Sequence, residues 1–202
     1  MHKKLIMVCT ALASLAAFIT APVASASPVL TSEGVAVAVG AEVKGQNTGN
    51  VSFTGPVEVV CSTAFLNMKI TANAGSQIKA EVPAGSFNFT GTDSDGDCTN
   101  PFGAFRGVWS KLCLETVTGT DNVKITGCGS SATLTTNMTT LSPCKYSSAS
   151  MTGSFLTNAG ATVSVSGQEF KLEEGGISCL SAWKLDMDLD LTSSSGGALT
   201  IS

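Results

Sequence analysis

The chain has 202 residues and a net charge of −4, from 11 Lys and Arg against 15 Asp and Glu. This balance excludes a basic surface on which phosphates could bind, so we expect no nucleic-acid partner. The one histidine is His2, inside a segment that is predicted below to be removed, which excludes imidazole-based catalysis and histidine-ligated metals in the mature chain.

The N-terminus has the three parts of a secretory signal. Two lysines precede an apolar run over residues 5–19, which is followed by Pro22 and by the small residues Ala24-Ser25-Ala26. This order predicts a signal peptide over residues 1–26 with cleavage after Ala26. A retained membrane anchor is the alternative, because the run approaches the lower limit for a membrane-spanning helix.

Residues 27–202 are predicted to form a single disulfide-bonded β domain. Because cleavage removes Lys3 and Lys4, the net charge of the remaining chain is −6 instead of −4. A chain of this length is about one domain and can bury a substantial core. No later segment is apolar for long enough to span a bilayer, so we expect no transmembrane segment after cleavage and a secreted or cell-wall-associated protein.

Alternation of apolar and polar side chains with period two is the dominant pattern after residue 30, and it predicts strands. The predicted strands cover 35–39, 57–61, 65–72, 77–82, 86–90, 112–117, 123–126, 132–140, 150–157, 161–166 and 178–191. Gly, Pro, Asn and Ser separate them, as is typical of turns. Short strands at this spacing favour an all-β, antiparallel β-sandwich, with a closed β-barrel as the alternative.

The clearest alternation lies between Leu185 and Leu191. Four apolar residues alternate there with Asp186, Asp188 and Asp190, so one face is predicted to pack on the core and the other to meet water. Carboxylates about 7 Å apart along a strand diverge from a common centre. We therefore interpret them as a solvated face that discourages edge-to-edge aggregation, with a cation site as the alternative.

Six cysteines remain after residue 26, an even number that predicts three disulfides in an oxidising compartment. No two of them are separated by only two to four residues, which argues against a zinc site. Spacing alone leaves many connectivities open. Closure in chain order is the simplest, and it gives the pairs Cys61–Cys98, Cys113–Cys128 and Cys144–Cys179.

The middle pair also follows from a predicted hairpin. The turn is Gly119-Thr120-Asp121-Asn122, between strand-like segments on either side. With Thr120-Asp121 as a two-residue loop, Cys113 lies directly opposite Cys128. Directly opposed residues have the Cβ separation that a disulfide needs.

Aromatic residues are sparse, and Trp109 with Phe102 and Phe105 is the one local cluster that could contact a carbohydrate. We expect the Phe residues to pack in the core, because exposed rings leave a large apolar area in water. The hairpin register, by contrast, places Trp109 on the more polar face.

The segment from Asp93 to Asp97 resembles the start of a calcium loop. Asp93, Asp95 and Asp97 place carboxylates at alternate positions, and Gly96 allows a sharp bend. An EF-hand needs an acidic residue near the twelfth position, where this chain has Ala104. An ordinary exposed turn is the alternative interpretation.

Carboxylate chemistry leaves an enzyme possible without histidine, since paired acids can hydrolyse glycosides. Such a site needs one acid with a raised pKa in an apolar cleft. The pair Glu173-Glu174 lies beside Gly175-Gly176 instead, which is typical of an exposed turn. We therefore expect no enzymatic activity and no resident cofactor, with calcium as the one candidate ion.

Five short motifs carry a resemblance: Val60-Cys61-Ser62-Thr63, Phe89-Thr90-Gly91 running into Cys98, Ile125-Thr126-Gly127-Cys128, Ser142-Pro143-Cys144-Lys145-Tyr146 with Met151-Thr152-Gly153, and Ile177-Ser178-Cys179-Leu180-Ser181-Ala182-Trp183. With them the chain resembles uncharacterised small secreted cysteine-containing β proteins of high-GC Gram-positive bacteria, over most of residues 35–192. The resemblance implies an extracellular or envelope-associated β domain and carries no catalytic residues. The chain departs from that pattern in Cys113 and Cys128.

Together these features predict a secreted or envelope-associated, non-enzymatic interaction or structural protein. Its partner is an unknown protein, glycan or envelope component. The first alternative is an extracellular β domain that binds calcium or a small ligand, and the second is a carboxylate-based enzyme acting on glycans.

Overall fold

A computed structural model describes residues 28–75, 77–90, 98, 103–138, 141–156 and 160–201. The described residues form seventeen strands and no helix, so no helix among them could cross a membrane. The strands are β1 (Leu30–Ser32), β2 (Val35–Ala36), β3 (Glu42–Asn47), β4 (Val51–Thr54), β5 (Val59–Cys61), β6 (Thr63–Ala74), β7 (Gln77–Val82), β8 (Phe87–Thr90), β9 (Phe105–Trp109), β10 (Leu112–Thr116), β11 (Asn122–Thr126), β12 (Ala132–Met138), β13 (Leu141–Ser148), β14 (Met151–Leu156), β15 (Thr162–Glu174), β16 (Ala182–Ser193) and β17 (Leu199–Ile201). The predicted signal peptide lies outside the described residues.

Eight strands close into an antiparallel barrel. The order around the ring is β3, β6, β7, β10, β11, β14, β15 and β16, and β16 pairs again with β3. The all-β, antiparallel prediction is confirmed, and the ring closes as in the barrel alternative. Closure leaves none of these eight strands with a free edge along the barrel.

Three long strands continue beyond the barrel and carry the remaining sheet. Strand β6 pairs with β8, β15 pairs with β13, and β16 pairs with β4. Strand β12 adds to β13, β9 adds to β12, and β5 adds to β4. We call this second part, built from β4, β5, β8, β9, β12 and β13 with the ends of the long strands, the extension.

A β-bulge marks the point where β15 leaves the barrel. The register between β15 and β16 shifts between Val165 and Gln168, and Gly167 there has a φ of 60°. The Asp186 carboxylate accepts hydrogen bonds from the Ser166 hydroxyl at 2.7 Å and from the Gly167 amide at 2.8 Å. A bulge bends its strand, and here the carboxylate of the neighbouring strand holds the bend in place.

The predicted alternation in β16 is confirmed. Leu185, Met187, Leu189 and Leu191 are buried, while the aspartates between them point outward. Asp186 and Asp190 accept hydrogen bonds from side chains of β15. These carboxylates therefore also help to hold the β15–β16 pair together.

Aromatic rings fill the extension. They are Phe53, Phe87, Phe89, Phe105, Trp109, Tyr146, Phe170 and Trp183, which contact one another at centroid distances of 4.7 to 6.5 Å. The expected burial of Phe105 is confirmed, whereas Phe102 lies outside the described residues.

The placement of Trp109 on a polar face is wrong, since its side chain is only 1% exposed. The hairpin does not extend back to this residue. The chain turns at Ser110, whose hydroxyl accepts a hydrogen bond from the Thr133 amide at 3.0 Å. Trp109 therefore ends β9, where it pairs with Leu134 of β12 and points into the aromatic core.

The hairpin of β10 and β11 forms, but its predicted register is wrong by two residues. Cys113 lies opposite Thr126, and the amide of Val117 donates to the carbonyl of Asn122 at 2.8 Å. The loop therefore has four residues. Within it, the Thr120 hydroxyl donates a hydrogen bond to the Val117 carbonyl and accepts one from the Asn122 amide. A shift of two keeps every side chain on its predicted face.

Three disulfides are present, with the pairs predicted from the sequence: Cys61–Cys98, Cys113–Cys128 and Cys144–Cys179. The first is buried in the extension, and the second lies on the outside of the barrel. Because of the register, Cys128 reaches Cys113 from beyond the end of β11, with a φ of 56°. The third ties β13 to the loop before β16.

A small sheet of β17, β1 and β2 covers the barrel at the end where β6 stops. Asn73 of β6 is buried and accepts a hydrogen bond from the Leu30 amide at 2.8 Å. Its side-chain amide donates to the carbonyls of Leu30 at 2.8 Å and Val37 at 2.7 Å. Leu30 and Leu199 of this sheet are each 1% exposed, so the small sheet completes the core at that end.

Asn73→Ala is expected to lower the free energy of unfolding by about 2 kcal/mol, because the Leu30 amide and the Val37 carbonyl lose the hydrogen bonds that the Asn73 side chain makes with them. Asn67→Ala is the control, since Asn67 lies in the same strand with its side chain in water. Urea unfolding of both variants measures the difference. Equal stabilities of the two variants would contradict the role assigned to Asn73.

Candidate functional site

The interior of the barrel contains a cavity of about 20 Å³. The twelve described residues that line it are all apolar, and they come from β8 and from seven of the eight barrel strands. Eleven of them are buried, and Leu114 is partly buried. An eight-stranded barrel has an interior that side chains fill or nearly fill, and here the filling leaves one small space.

Two inward-facing glycines let neighbouring side chains pack close to the barrel wall. Gly45 in β3 carries no side chain, and a Cβ there would lie 3.1 Å from Cγ of Leu66 and 3.3 Å from Cδ2 of Leu191. Gly153 in β14 is similar, since a Cβ would lie 3.2 Å from Cγ2 of Val165. Side chains of the adjacent strands pack over both glycines instead of interdigitating across the barrel.

Three methionines line the cavity. Met68, Met151 and Met187 come from β6, β14 and β16, and they are 4%, 1% and 5% exposed. Methionine is unbranched and has three rotatable bonds, so it adapts to irregular space at little cost. Alternation in the sequence predicts only that Met187 faces the core. The three methionine side chains come together because the barrel closes.

The predicted calcium ligands Asp93, Asp95 and Asp97 lie outside the described residues. Cys98, which follows them, is buried and bonded to Cys61. The calcium loop stays a prediction.

A groove of about 400 Å³ on the outside of the barrel brings Glu81, Cys113 and Cys128 together. The β7–β10 register places Cys113 opposite Glu81, and the two sulfur atoms and a carboxylate oxygen lie within 4.8 Å of one another. The sulfurs form a disulfide, however, and only a thiolate is an effective metal ligand. Glu81 is moreover paired with Lys111, with 2.7 Å between Oε2 and Nζ. In the oxidised protein, the disulfide and the Glu81–Lys111 ion pair therefore engage the side chains of this cluster.

Glu173 and Glu174 end β15 and do not form the expected turn, which begins after them. Both contact Lys145, with Nζ 3.5 Å from Glu173 and 3.4 Å from Glu174. A hydrogen bond from Ser147, and then Lys145, lower the pKa of Glu173. A glycosidase acid needs the opposite shift, so Glu173 is suited to an ion pair and not to that role.

Ser181 and Lys184 have the Ser-x-x-Lys spacing. Residues at this spacing share a face in a helix, where such a serine can reach its lysine, but they diverge in extended chain. Lys184 lies in β16 and Ser181 just before it. Both line an open groove of about 440 Å³ without a hydrogen bond between them.

Among the described residues, three buried polar atoms of the aromatic core have no hydrogen-bond partner: Nε1 of Trp109, the hydroxyl of Tyr146 and Nε1 of Trp183. Burial raises the pKa of Tyr146 above the usual 10.0. The indole of Trp183 and the backbone at Leu180 lie near the phenol oxygen and oppose this shift, without reaching hydrogen-bond geometry.

Comparison with protein-family models, with curated proteins and with solved structures finds no match to this chain. The candidate site is therefore assigned from the chain's own residues. The described residues that line the barrel cavity offer only hydrocarbon and thioether groups.

Tyr146 is the single tyrosine, so tyrosinate absorbance reports on it alone. The folded protein keeps the phenol proton at pH values where the unfolded chain has lost it. Stability due to this group is thus complete below about pH 10 and falls as the pH rises through the folded-state pKa. We expect the tyrosinate signal to appear only above the usual pKa.

Tyr146→Phe is expected to remove this alkaline loss of stability. At neutral pH it should leave the free energy of unfolding unchanged or raise it by up to about 1 kcal/mol, because the deleted hydroxyl has no partner. Unfolding measured in denaturant at neutral and alkaline pH tests both statements. A loss of more than about 1 kcal/mol at neutral pH would show that the hydroxyl is hydrogen-bonded.

Proposed function

We propose that the protein is an exported, non-enzymatic binding domain that acts outside the cell, either secreted or associated with the envelope. The observation that carries this proposal is the set of three intramolecular disulfides. Disulfides of this kind persist in oxidising compartments and are rare in the cytosol. The predicted signal peptide over residues 1–26 supports the same location.

The placement of the disulfides supports a structural use of all six cysteines. Cys61–Cys98 lies in the aromatic extension, Cys113–Cys128 on the barrel wall, and Cys144–Cys179 at the end of the extension. Each bond constrains a different part of the unfolded chain, which stabilises the folded domain outside the cell. Together the three disulfides therefore stabilise both the barrel and the extension.

The chemistry of the described side chains supports a non-enzymatic mode of action. The lining of the barrel cavity makes van der Waals contacts, and none of its described side chains transfers protons. Acidic side chains such as Glu81, Glu115 and Glu173 form ion pairs on the surface. The partner we propose is a component of the cell exterior: a protein, a glycan or an envelope component.

The test is to express the full chain with its own N-terminus in a Gram-positive secretion host and to recover it from the medium. We expect a chain that begins at Ser27, with no cysteine alkylated under denaturing, non-reducing conditions and six alkylated after reduction. Mass spectrometry gives both results.

The matched control is the chain without residues 2–26, kept in the cytosol of the same host. We expect its cysteines to be alkylated without prior reduction. The proposal fails if the full chain stays inside the cell, or if the exported chain carries six free thiols.

A further inference from the structure

We propose that Glu81, Cys113 and Cys128 form a binding site for a thiophilic divalent cation such as Zn²⁺, which opens when the Cys113–Cys128 disulfide is reduced. This proposal goes beyond the proposed function, because the site is closed in the oxidised, exported protein. Two observations carry it. The disulfide is accessible, and backbone pairing that does not involve the disulfide places the three side chains together.

Access distinguishes this disulfide from the other two. Cys113 and Cys128 are both partly exposed. By contrast, Cys61 and Cys98 are 0% exposed, and Cys144 is 2% exposed. A reductant must bring its thiolate to one of the two bonded sulfur atoms, so access decides which disulfide reacts first. The groove of about 400 Å³ beside Cys113 and Cys128 provides this access.

The groove also has the charge that favours reduction. Lys79 and Lys111 line it, and positive charge favours a thiolate over a thiol, which assists the departure of a cysteine sulfur from the disulfide. The reductant is a dithiol, which gives two electrons and two protons. The bond between the sulfurs of Cys113 and Cys128 breaks, two cysteine thiols form, and the dithiol becomes a disulfide.

The backbone around this disulfide is held by hydrogen bonds that do not involve it. Cys113 pairs with Glu81 of β7 on one side and with β11 on the other. Cys128 lies in a turn in which the Gly127 amide donates to the Ser130 carbonyl at 3.0 Å. The disulfide also closes the shortest of the three loops, with a sequence separation of 15 against 37 and 35. Its reduction therefore releases the least chain entropy, and we expect the fold to remain.

Cys128 has a φ of 56°, which is uncommon for a residue with a side chain. It lies between Gly127 and Gly129, and Gly129 has a positive φ as well. Such backbone conformations persist where the surrounding structure holds them, and they cluster at functional sites. Here the conformation directs the sulfur of Cys128 toward Cys113 and Glu81.

The spacing of the ligand atoms suits a tetrahedral cation. The two sulfurs and a carboxylate oxygen of Glu81 lie within 4.8 Å of one another. With Zn–S distances of about 2.3 Å and Zn–O distances of about 2.1 Å, tetrahedral ligand atoms are about 3.5 to 3.8 Å apart. Side-chain rotation after reduction brings the three atoms to this spacing, and water supplies the fourth ligand. Thiolates select Zn²⁺ and similar ions over Ca²⁺ and Mg²⁺.

Glu81 must exchange its present partner for the cation. Nζ of Lys111 lies 2.7 Å from Oε2 of Glu81, and the two side chains are 48% and 40% exposed. An ion pair this exposed contributes little to stability, so Lys111 can move into water at small cost. The cation carries two charges and bonds directly to the carboxylate, and its binding also releases the two thiol protons.

The first part of the test opens the disulfide in oxidised protein recovered from the medium. Limited dithiothreitol followed by iodoacetamide, without denaturant, should label Cys113 and Cys128. We expect the other four cysteines to be labelled only after denaturation and full reduction. The fluorescence of Trp109 and Trp183, each 1% exposed, should stay that of the folded protein. The proposal fails if another disulfide opens first, or if the fluorescence becomes that of the unfolded chain.

The second part uses Co²⁺ as the probe, because it occupies Zn²⁺ sites and absorbs through sulfur-to-cobalt charge transfer when thiolates bind it. After dithiothreitol is removed without air, we expect this absorbance to saturate at one Co²⁺ per chain and to disappear when Zn²⁺ is added. Oxidised protein is the control, and we expect no such absorbance from it. Reduced protein without the absorbance would overturn the proposal.

Glu81→Gln tests the third ligand. Loss of a partner that only supports a ligand weakens metal binding by about tenfold or more, so loss of this carboxylate should weaken Co²⁺ binding by at least that factor. Glu115→Gln is the matched control, because Glu115 lines the same groove and pairs with Lys79 at 3.4 Å. Its side chain is 43% exposed, against 40% for Glu81, and it lies outside the cluster of ligand atoms. Equal Co²⁺ affinities of the two variants would contradict the proposed site.

Discussion

The pairing of β15 with β16 is the interaction on which the rest of the structure depends. It runs from Thr162 opposite Asp190 to Lys171 opposite Ala182, and it is the contact that turns a row of strands into a ring. One half of the same ladder closes the barrel, and the other half carries the extension. Asp186 is central to both halves, because it fixes the bulge at Gly167 that separates them.

This shared ladder divides the interior into two regions of different chemistry. The barrel is filled by aliphatic and methionine side chains, whereas the extension is filled by rings, several of which pack edge to face. Phe87 and its stacking partner Trp109 form the boundary. The Cys113–Cys128 disulfide lies on the barrel wall, and Cys61–Cys98 lies in the extension, so covalent bonds brace both regions.

Much of this fold could be predicted from local pattern, because alternation and cysteine order are visible in the sequence. Residues 185–191 and the disulfide pairs belong to this group. Strand β3 was missed because its sequence, Glu42 to Asn47, is largely polar and one of its two inward positions is Gly45, which leaves Val43 as its one apolar side chain. Ring closure, the hairpin register and the burial of Trp109 depend on contacts between distant segments, which no local pattern records. The cavity depends on that closure, so the sequence could not predict it.

The most direct test of this account is native-state amide hydrogen exchange along β15 and β16. Because the ladder closes the barrel and carries the extension, amides of 162–165 and of 168–171 should exchange only through global unfolding, with equal protection. Exchange of these amides that is faster than that of β14, the neighbour on the other side of β15, would mean that the sheet is open at this seam. An open seam would contradict the closed barrel.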